Sequence, residues 1–183
     1  MRRNILLVFV AQLLVTCGAL AISSAAAQQG QQAQQPGGPH HPMSDCPMMQ
    51  TDAMAQMNKR GDQGMGFSQE KTTHHFYLTK TGGAIQVEAN DAKDALSRDQ
   101  IRQHFKHIAT MFAEGNFEIP MFVHDQTPPG VAEMQKLKAA IEYRYEESER
   151  GARVLISSAD PQAVAAVQSF LRFQIKEHKT GDQ

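Results

Sequence analysis

A pattern of strand, glycine turn, strand and helix occurs twice in this chain, and it constrains the fold more than any other feature. Laying Gly82 on Gly151 superposes Ile85 on Val154, an offset of 69 residues. Strand-like alternation on both sides of each turn is typical of a β-hairpin. Two such ββα units predict an α+β domain in which a four-stranded antiparallel sheet carries its helices on one face.

Each hairpin is followed by apolar residues at helical spacing. The first stripe is expected at Ile101, Phe105, Ile108 and Phe112, and the second at Val164, Val167, Leu171 and Ile175. Between the units, residues 117–123 read as an apolar connector. Pro128-Pro129 then opens a further helix that runs to Ile141, since proline suits a first helical turn. The folded domain is therefore predicted to span residues 66–183.

The first 27 residues have the composition of an export signal. Arg2 and Arg3 precede an apolar run at residues 5–15, and small residues ending at Ala27 match a cleavage site. The run is too short to cross a bilayer, so no membrane span is expected in the mature chain. We therefore expect a periplasmic or secreted protein that is cleaved near Ala27.

The charge content argues against a nucleic-acid-binding protein, and the cysteine content argues against a fold held by internal disulfides. The chain carries 18 basic and 19 acidic side chains, which removes the electrostatic footprint of a nucleic-acid-binding protein. Cys46 is the one cysteine beyond the signal, so no internal disulfide can form. The fold must depend on an apolar core.

Residues 28–65 are interpreted as a flexible tail. Residues 28–39 are rich in Gln, Gly and Pro, and residues 40–65 contain six methionines but no Ile, Leu, Val or aromatic residue. Thioether and thiolate sulfurs select Cu(I), and imidazoles bind copper as well. The candidate metal ligands here are His40, His41, Met43, Cys46, Met48, Met49, Met54 and Met57. The alternative is a linker or contact segment in which methionine is merely frequent.

A second candidate metal site lies in the folded domain. Alternation places His74 on the core side of its strand, where it could face His104 on the first helix. His107 and Met111 lie on the same flank of that helix. Such a set could bind copper or supply axial ligands to haem b. The alternative is that these histidines are packing residues at the core margin.

Two other histidines are given structural roles. His124 precedes Pro128-Pro129 and is assigned to the turn. His178 falls in the last turn of the final helix, where a cationic ring suits the helix dipole.

The leading hypothesis is a metal-binding protein that sequesters or delivers copper, with a possible periplasmic partner protein. No catalytic motif of the common hydrolase, nucleotide-binding or zinc-protease types is present, so enzymatic function has no support from the residues. One rival is an interaction module whose free sheet face exposes an apolar patch around Tyr77, Tyr143 and Tyr145. An exported enzyme or a haem-binding protein is the remaining alternative.

Several motifs resemble a small family of exported proteobacterial proteins. They are Lys71-Thr-Thr-His-His-Phe76, His124-Asp-Gln-Thr-Pro-Pro-Gly130 and the run from Phe170 to Asp182, within a match over residues 65–182. Some members carry the name aspartate carbamoyltransferase. This chain has no Ser-Thr-Arg-Thr loop for carbamoyl phosphate and about half the length of such an enzyme. The resemblance therefore implies no activity.

Overall fold

The computed structural model describes the backbone of residues 47–183 and the side chains of residues 51–183. Four strands form one antiparallel sheet in the order β1-β2-β4-β3, which confirms the predicted α+β fold. The elements in chain order are α1 (Pro47–Met65), β1 (Thr72–Thr79), β2 (Gly82–Ala89), α2 (Ala95–Ala113), α3 (Glu118–His124), α4 (Val131–Lys136), a 3-10 turn (Lys138–Ala140), β3 (Glu142–Glu147), β4 (Gly151–Ser157) and α5 (Pro161–His178).

The two hairpins join through their second strands, where Ile85 pairs with Val154. A Cβ atom at Gly82 would collide with the carbonyl oxygen of Ile156, and one at Gly151 would collide with that of Val87. Ile156 follows Val87 by the same 69 residues that separate the two glycines. The two contacts are therefore equivalent, as expected of an internal repeat.

Helices α2 and α5 pack on one face of the sheet, α2 against β3 and β4 and α5 against β1 and β2. Each begins at an aspartate cap: Asp94 accepts a hydrogen bond from the Ser97 amide at 3.0 Å, and Asp160 accepts one from the Gln162 amide at 2.7 Å. The predicted stripe of α2 is fully buried. In α5, Val167 and Leu171 are buried as predicted. The buried face of α5 consists of Ala163, Ala166, Val167, Phe170, Leu171 and Gln174.

The connection between the two units differs from the prediction. Residues 117–123 were expected as a connector, yet Glu118–His124 is helix α3. Pro120 is tolerated because it lies in the first turn, where its missing N–H would have no helical partner. The following helix α4 ends at Lys136, and Ile141 is already extended. Ile141 therefore leads into β3 and is not part of a helical stripe.

Residues 47–65 form helix α1, so the expectation of a flexible tail is wrong for this part. Helix α1 packs against α3. Met57 is only 6% exposed, and Nε of Arg60 donates a hydrogen bond to the Val123 carbonyl at 2.8 Å. Methionine packs well against irregular surfaces, which explains why a segment without Leu, Ile or Val can still be held. The folded region therefore begins before residue 66.

The free face of the sheet is largely charged. Glu146 pairs with Arg144 at 2.9 Å and with Arg153 at 2.6 Å. Tyr77 is exposed as predicted, but Tyr143 and Tyr145 pack against the core on the helix side, because they alternate with Arg144 and Glu146. The predicted patch of three tyrosines is therefore wrong. Among the described residues, no helix is long and apolar enough to cross a membrane.

Replacing Gly151 with Ala tests the contact between the central strands. The backbone at Gly151 is not left-handed, so the added methyl group acts only through its collision with the Val87 carbonyl. We expect the free energy of unfolding to fall by about 3 kcal/mol, the upper end for overpacking, in urea denaturation. Gly66→Ala is the control, since Gly66 has a φ of 76° and open space around it. Its cost should be about 1 kcal/mol. An equal cost for both variants would contradict the contact.

Candidate functional site: a histidine-lined cavity

A cavity of about 60 Å³ lies where the sheet meets α2, α3 and α5. Most of its wall is apolar, and Phe76, Phe112 and Phe170 are buried core residues. Four histidines from four different elements also line it. They are His74, His104, His124 and His178. The cavity therefore combines a hydrocarbon wall with a concentration of imidazole rings.

Regular structure brings each ring to the cavity. His74 alternates with Phe76 on β1 and shares its inward face. His104 lies beside Phe105 on α2. His124 and His178 are the last residues of α3 and α5, each followed by a left-handed residue that ends the helix.

His178 lies between two of the other rings. Its ring centroid is 5.1 Å from that of His74, with the planes nearly parallel, and 5.2 Å from that of His124, with the planes perpendicular. The ring of Phe67 contacts both His74 at 6.0 Å and His104 at 5.6 Å. The four imidazoles thus form one connected cluster.

Gln174 orients the ring of His124. Nε2 of His124 lies 2.8 Å from Oε1 of Gln174, and both side chains are buried. An amide oxygen only accepts hydrogen bonds, so Nε2 of His124 carries the proton. The lone pair of the neutral ring is then on Nδ1.

Three polar atoms of these lining residues have no hydrogen-bond partner among the described residues. They are Nε2 of His74, Nδ1 of His124 and Nε2 of Gln174. Leaving a buried polar atom unpaired costs about 1–3 kcal/mol, so native proteins rarely keep such atoms without a reason. Three such atoms on residues that line one small cavity make this cavity the candidate functional site.

Burial keeps the imidazoles uncharged. It lowers the pKa of His74 and of His104 to about 4 and that of His178 to about 2, with neighbouring histidines adding to each shift. Burial also lowers the pKa of His124. At neutral pH all four rings are neutral and can donate a lone pair.

The chain end that follows α5 is tied to the strand that carries His74. The Asp182 carboxylate accepts a hydrogen bond from the Phe76 amide at 2.9 Å and lies 3.2 Å from Nδ1 of His75. The two residues that follow His74 on β1 therefore contact Asp182, which follows His178 by four residues.

The structure brings together only part of the predicted site in the domain. His74 and His104 line the same cavity, as expected from their strand and helix positions. His107 is exposed, and Met111 packs against the core without lining the cavity. His107 projects into solvent because it lies on the outer side of α2.

The structure describes only some of the metal ligands that were predicted in the tail. Met54 is partly exposed on α1, and Met57 is buried by packing. Met48 and Met49 belong to α1, with side chains outside the described part. The remaining four lie outside the described residues: His40, His41, Met43 and Cys46.

The sequence interpretation missed His124, Gln174 and His178. His178 was given a structural role as a cationic ring in the last turn of the final helix; it does end α5, but its ring stacks on that of His74, and burial lowers its pKa so far that the ring is not cationic at neutral pH. His178 follows Leu171 and Gln174 by seven and four residues, so the helical spacing could have placed it on the buried face. His124 was assigned to a turn, and it ends α3 as a buried residue.

In the part of the chain that the structure describes, no group of three or more His, Cys, Asp or Glu side chains is arranged to hold a metal ion. Comparisons of the chain with protein-family models, curated proteins and solved structures give no match.

Protonation of the cluster should destabilise the fold in mild acid. A histidine in the unfolded chain titrates near 6.5, whereas the folded pKa of His74 and of His104 is about 4. Between these pH values the unfolded chain binds more protons than the folded chain. The contribution of these imidazoles to the free energy of unfolding is therefore fully present above pH 6.5 and is lost as the pH decreases towards 4. The difference corresponds to roughly 3 kcal/mol for each imidazole.

Melting temperatures measured from about pH 8 to pH 4 check this pH dependence. The double variant H74F/H178F should have a shallower dependence, because two of the neutral rings are gone. The exposed His107 provides the control, and H107F should match the parent protein. A parent melting temperature that is constant over this range would refute the burial of neutral imidazoles.

Proposed function

We propose that the protein is an exported copper-binding protein that sequesters or delivers the metal in the periplasm or outside the cell. The observation that carries the proposal is the cluster of four uncharged imidazoles around one cavity. Imidazole is a common copper ligand in proteins. The cluster brings four such donors to one cavity of the domain.

Proton competition supports this proposal. A histidine must be neutral to bind a metal, so metal affinity falls wherever the free ring is protonated. An ordinary histidine loses affinity below about pH 6.5. Burial has already removed the proton from the rings of this cluster at neutral pH. These imidazoles therefore lose their protons when the domain folds, so that protons do not compete with the metal for the folded protein.

The sulfur-rich segment, residues 40–65, includes helix α1, and the last residue of this helix lies at the same cavity. Helix α1 carries Met54 and Met57 and ends at Met65, which lines the cavity. At 1.5 Å per residue, Met57 lies about 12 Å along the helix from Met65. One thioether, that of Met65, therefore lies at the imidazole cluster, on the same helix as the other described methionines, and thioethers and imidazoles are both copper ligands.

The alternatives have weaker support. An interaction module was expected to expose an apolar patch, and the free face carries ion pairs around Glu146. A haem group needs a pocket of several hundred Å³, whereas this cavity measures about 60 Å³. Among the described residues, the cavity lining has no Ser, Thr, Cys, Lys or carboxylate side chain for the imidazoles to activate, so it offers no particular reaction for an exported enzyme.

Competition with a chromophoric Cu(I) chelator tests the proposal on the mature chain from Gln28. The parent protein should withdraw Cu(I) from the chelator. The variant M43S/M48S/M49S should bind fewer equivalents, because it lacks three thioether donors. It leaves every buried core residue described above unchanged, so loss of folding does not explain the result.

His107→Ala is the matched control, as it removes an exposed histidine from the same helix as His104. It should bind as many equivalents as the parent. A parent protein that withdraws no Cu(I) would refute the copper proposal. If M43S/M48S/M49S binds as many equivalents of Cu(I) as the parent, the sulfur-rich segment does not contribute to copper binding.

A further inference from the structure

We infer that strand β1 is an edge at which a second copy of this chain can pair, and that Asp182 keeps this edge closed in the monomer. The inference is independent of copper binding. In the sheet that the structure describes, β1 and β3 are the two outer strands. An outer strand presents backbone groups that a further strand can pair with, so proteins protect such strands with charged side chains or cover them.

The two outer strands differ in their protection. Strand β3 has the sequence EYRYEE, with four charged side chains in six residues. Strand β1 has the sequence TTHHFYLT, with no Asp, Glu, Lys or Arg in eight residues. Threonine, phenylalanine and tyrosine also favour strand pairing. The side chains of β1 therefore do not prevent pairing, and its edge depends on a cover.

Asp182 supplies this cover at the middle of β1. Phe76 lies opposite Ile85 of β2, yet its amide donates a hydrogen bond to the Asp182 carboxylate at 2.9 Å. In an antiparallel pair every second residue directs its N–H and C=O away from the neighbouring strand. The backbone groups of His74 and Leu78 therefore point to the same edge as those of Phe76. Asp182 occupies a donor that a further strand would use.

The segment that carries Asp182 has no regular structure. Residues 180–183 belong to no helix or strand, and Lys179 and Gly181 have left-handed φ angles of 51° and 74°. The Thr180 amide donates to the Ile175 carbonyl at 3.3 Å, which fixes the start of the segment to α5. Segments of this kind open locally at a lower free energy than the strands and helices of a core. Asp182 can therefore leave the edge while the domain stays folded.

A second copy fits the uncovered edge about a two-fold axis. Antiparallel pairing of two β1 strands centred on Phe76 places His75 of one copy opposite Tyr77 of the other, and Thr73 opposite Thr79. Aromatic pairs and threonine pairs stabilise sheets, and this register brings no like charges together within the strands. The rings of His75 and Tyr77 already stack at 5.9 Å, and Tyr77 is 40% exposed. The pairing joins two four-stranded sheets into one continuous sheet.

Sedimentation of the mature chain from Gln28 tests the inference, with a reductant present so that Cys46 forms no disulfide between copies. D182A should have a dimer dissociation constant at least about tenfold below that of the parent, because a hydrogen bond to a charged acceptor commonly contributes such a factor. D182N keeps an oxygen that accepts from the Phe76 amide, so its constant should lie between the two. Q183A changes the exposed neighbouring residue and should match the parent.

Hydrogen exchange of the backbone amides locates the interface. In dilute D182A, the Phe76 amide should exchange faster than in the parent, because its acceptor is gone. At higher concentration the amides of His74, Phe76 and Leu78 should become protected, whereas those of β3 should not change. Adding H75K/Y77K to D182A should abolish the dimer, since this register then places lysine opposite lysine. Circular dichroism checks the folding of each variant, and D182N provides the same comparison if D182A fails to fold.

Three results would overturn the inference. Equal dissociation constants for D182A, Q183A and the parent would show that Asp182 does not keep the edge closed. A D182A dimer whose protected amides lie outside β1, or one that persists with H75K/Y77K, would show that β1 is not the pairing edge. A D182A chain that stays monomeric with a fast-exchanging Phe76 amide would exclude a second copy as the partner. The copper proposal is tested separately by Cu(I) capture.

Discussion

The close contact between β2 and β4 is the interaction on which the rest of the structure depends. Two glycines lie against carbonyl oxygens of the facing strand, Gly82 against Ile156 and Gly151 against Val87. The two hairpins therefore merge into one continuous sheet, and both long helices must cover the same face of it. The cavity lies on that face, so its position follows from the pairing of the central strands.

The histidine cluster lowers the stability of the fold, and packing does not require imidazoles at these positions. Leucine or phenylalanine at these positions would fill the space without unpaired nitrogens or sensitivity to acid. Sites at which a sequence conflicts with the simplest packing are commonly functional. His74 and His124 are such positions, because each combines burial with an unpaired ring nitrogen. The ligand-binding interpretation rests on this conflict more than on the number of histidines.

Sequence patterns were sufficient for the fold and for half of the cluster. Strand alternation placed His74 inward, and the helical stripe placed His104 beside it. Helix α3 was missed because seven residues with a proline carry too little periodicity, and His124 was missed with it. Helix α1 was missed because its packing face uses methionine and glycine, such as Met57 and Gly64, which do not stand out as a core pattern.

The segment after α5 connects the elements that carry the rings of His74 and His178. They come from opposite ends of the domain sequence, and a left-handed residue, Lys179, turns the chain back after α5. Asp182 then accepts a hydrogen bond from the Phe76 amide on β1, an edge strand, while its other oxygen meets His75. Because side chains alternate along β1, the His75 side chain that meets this carboxylate points outward, and its neighbour His74 points inward. One carboxylate thus ties the segment that follows His178 to the strand that carries His74, in addition to the packing of α5 against β1.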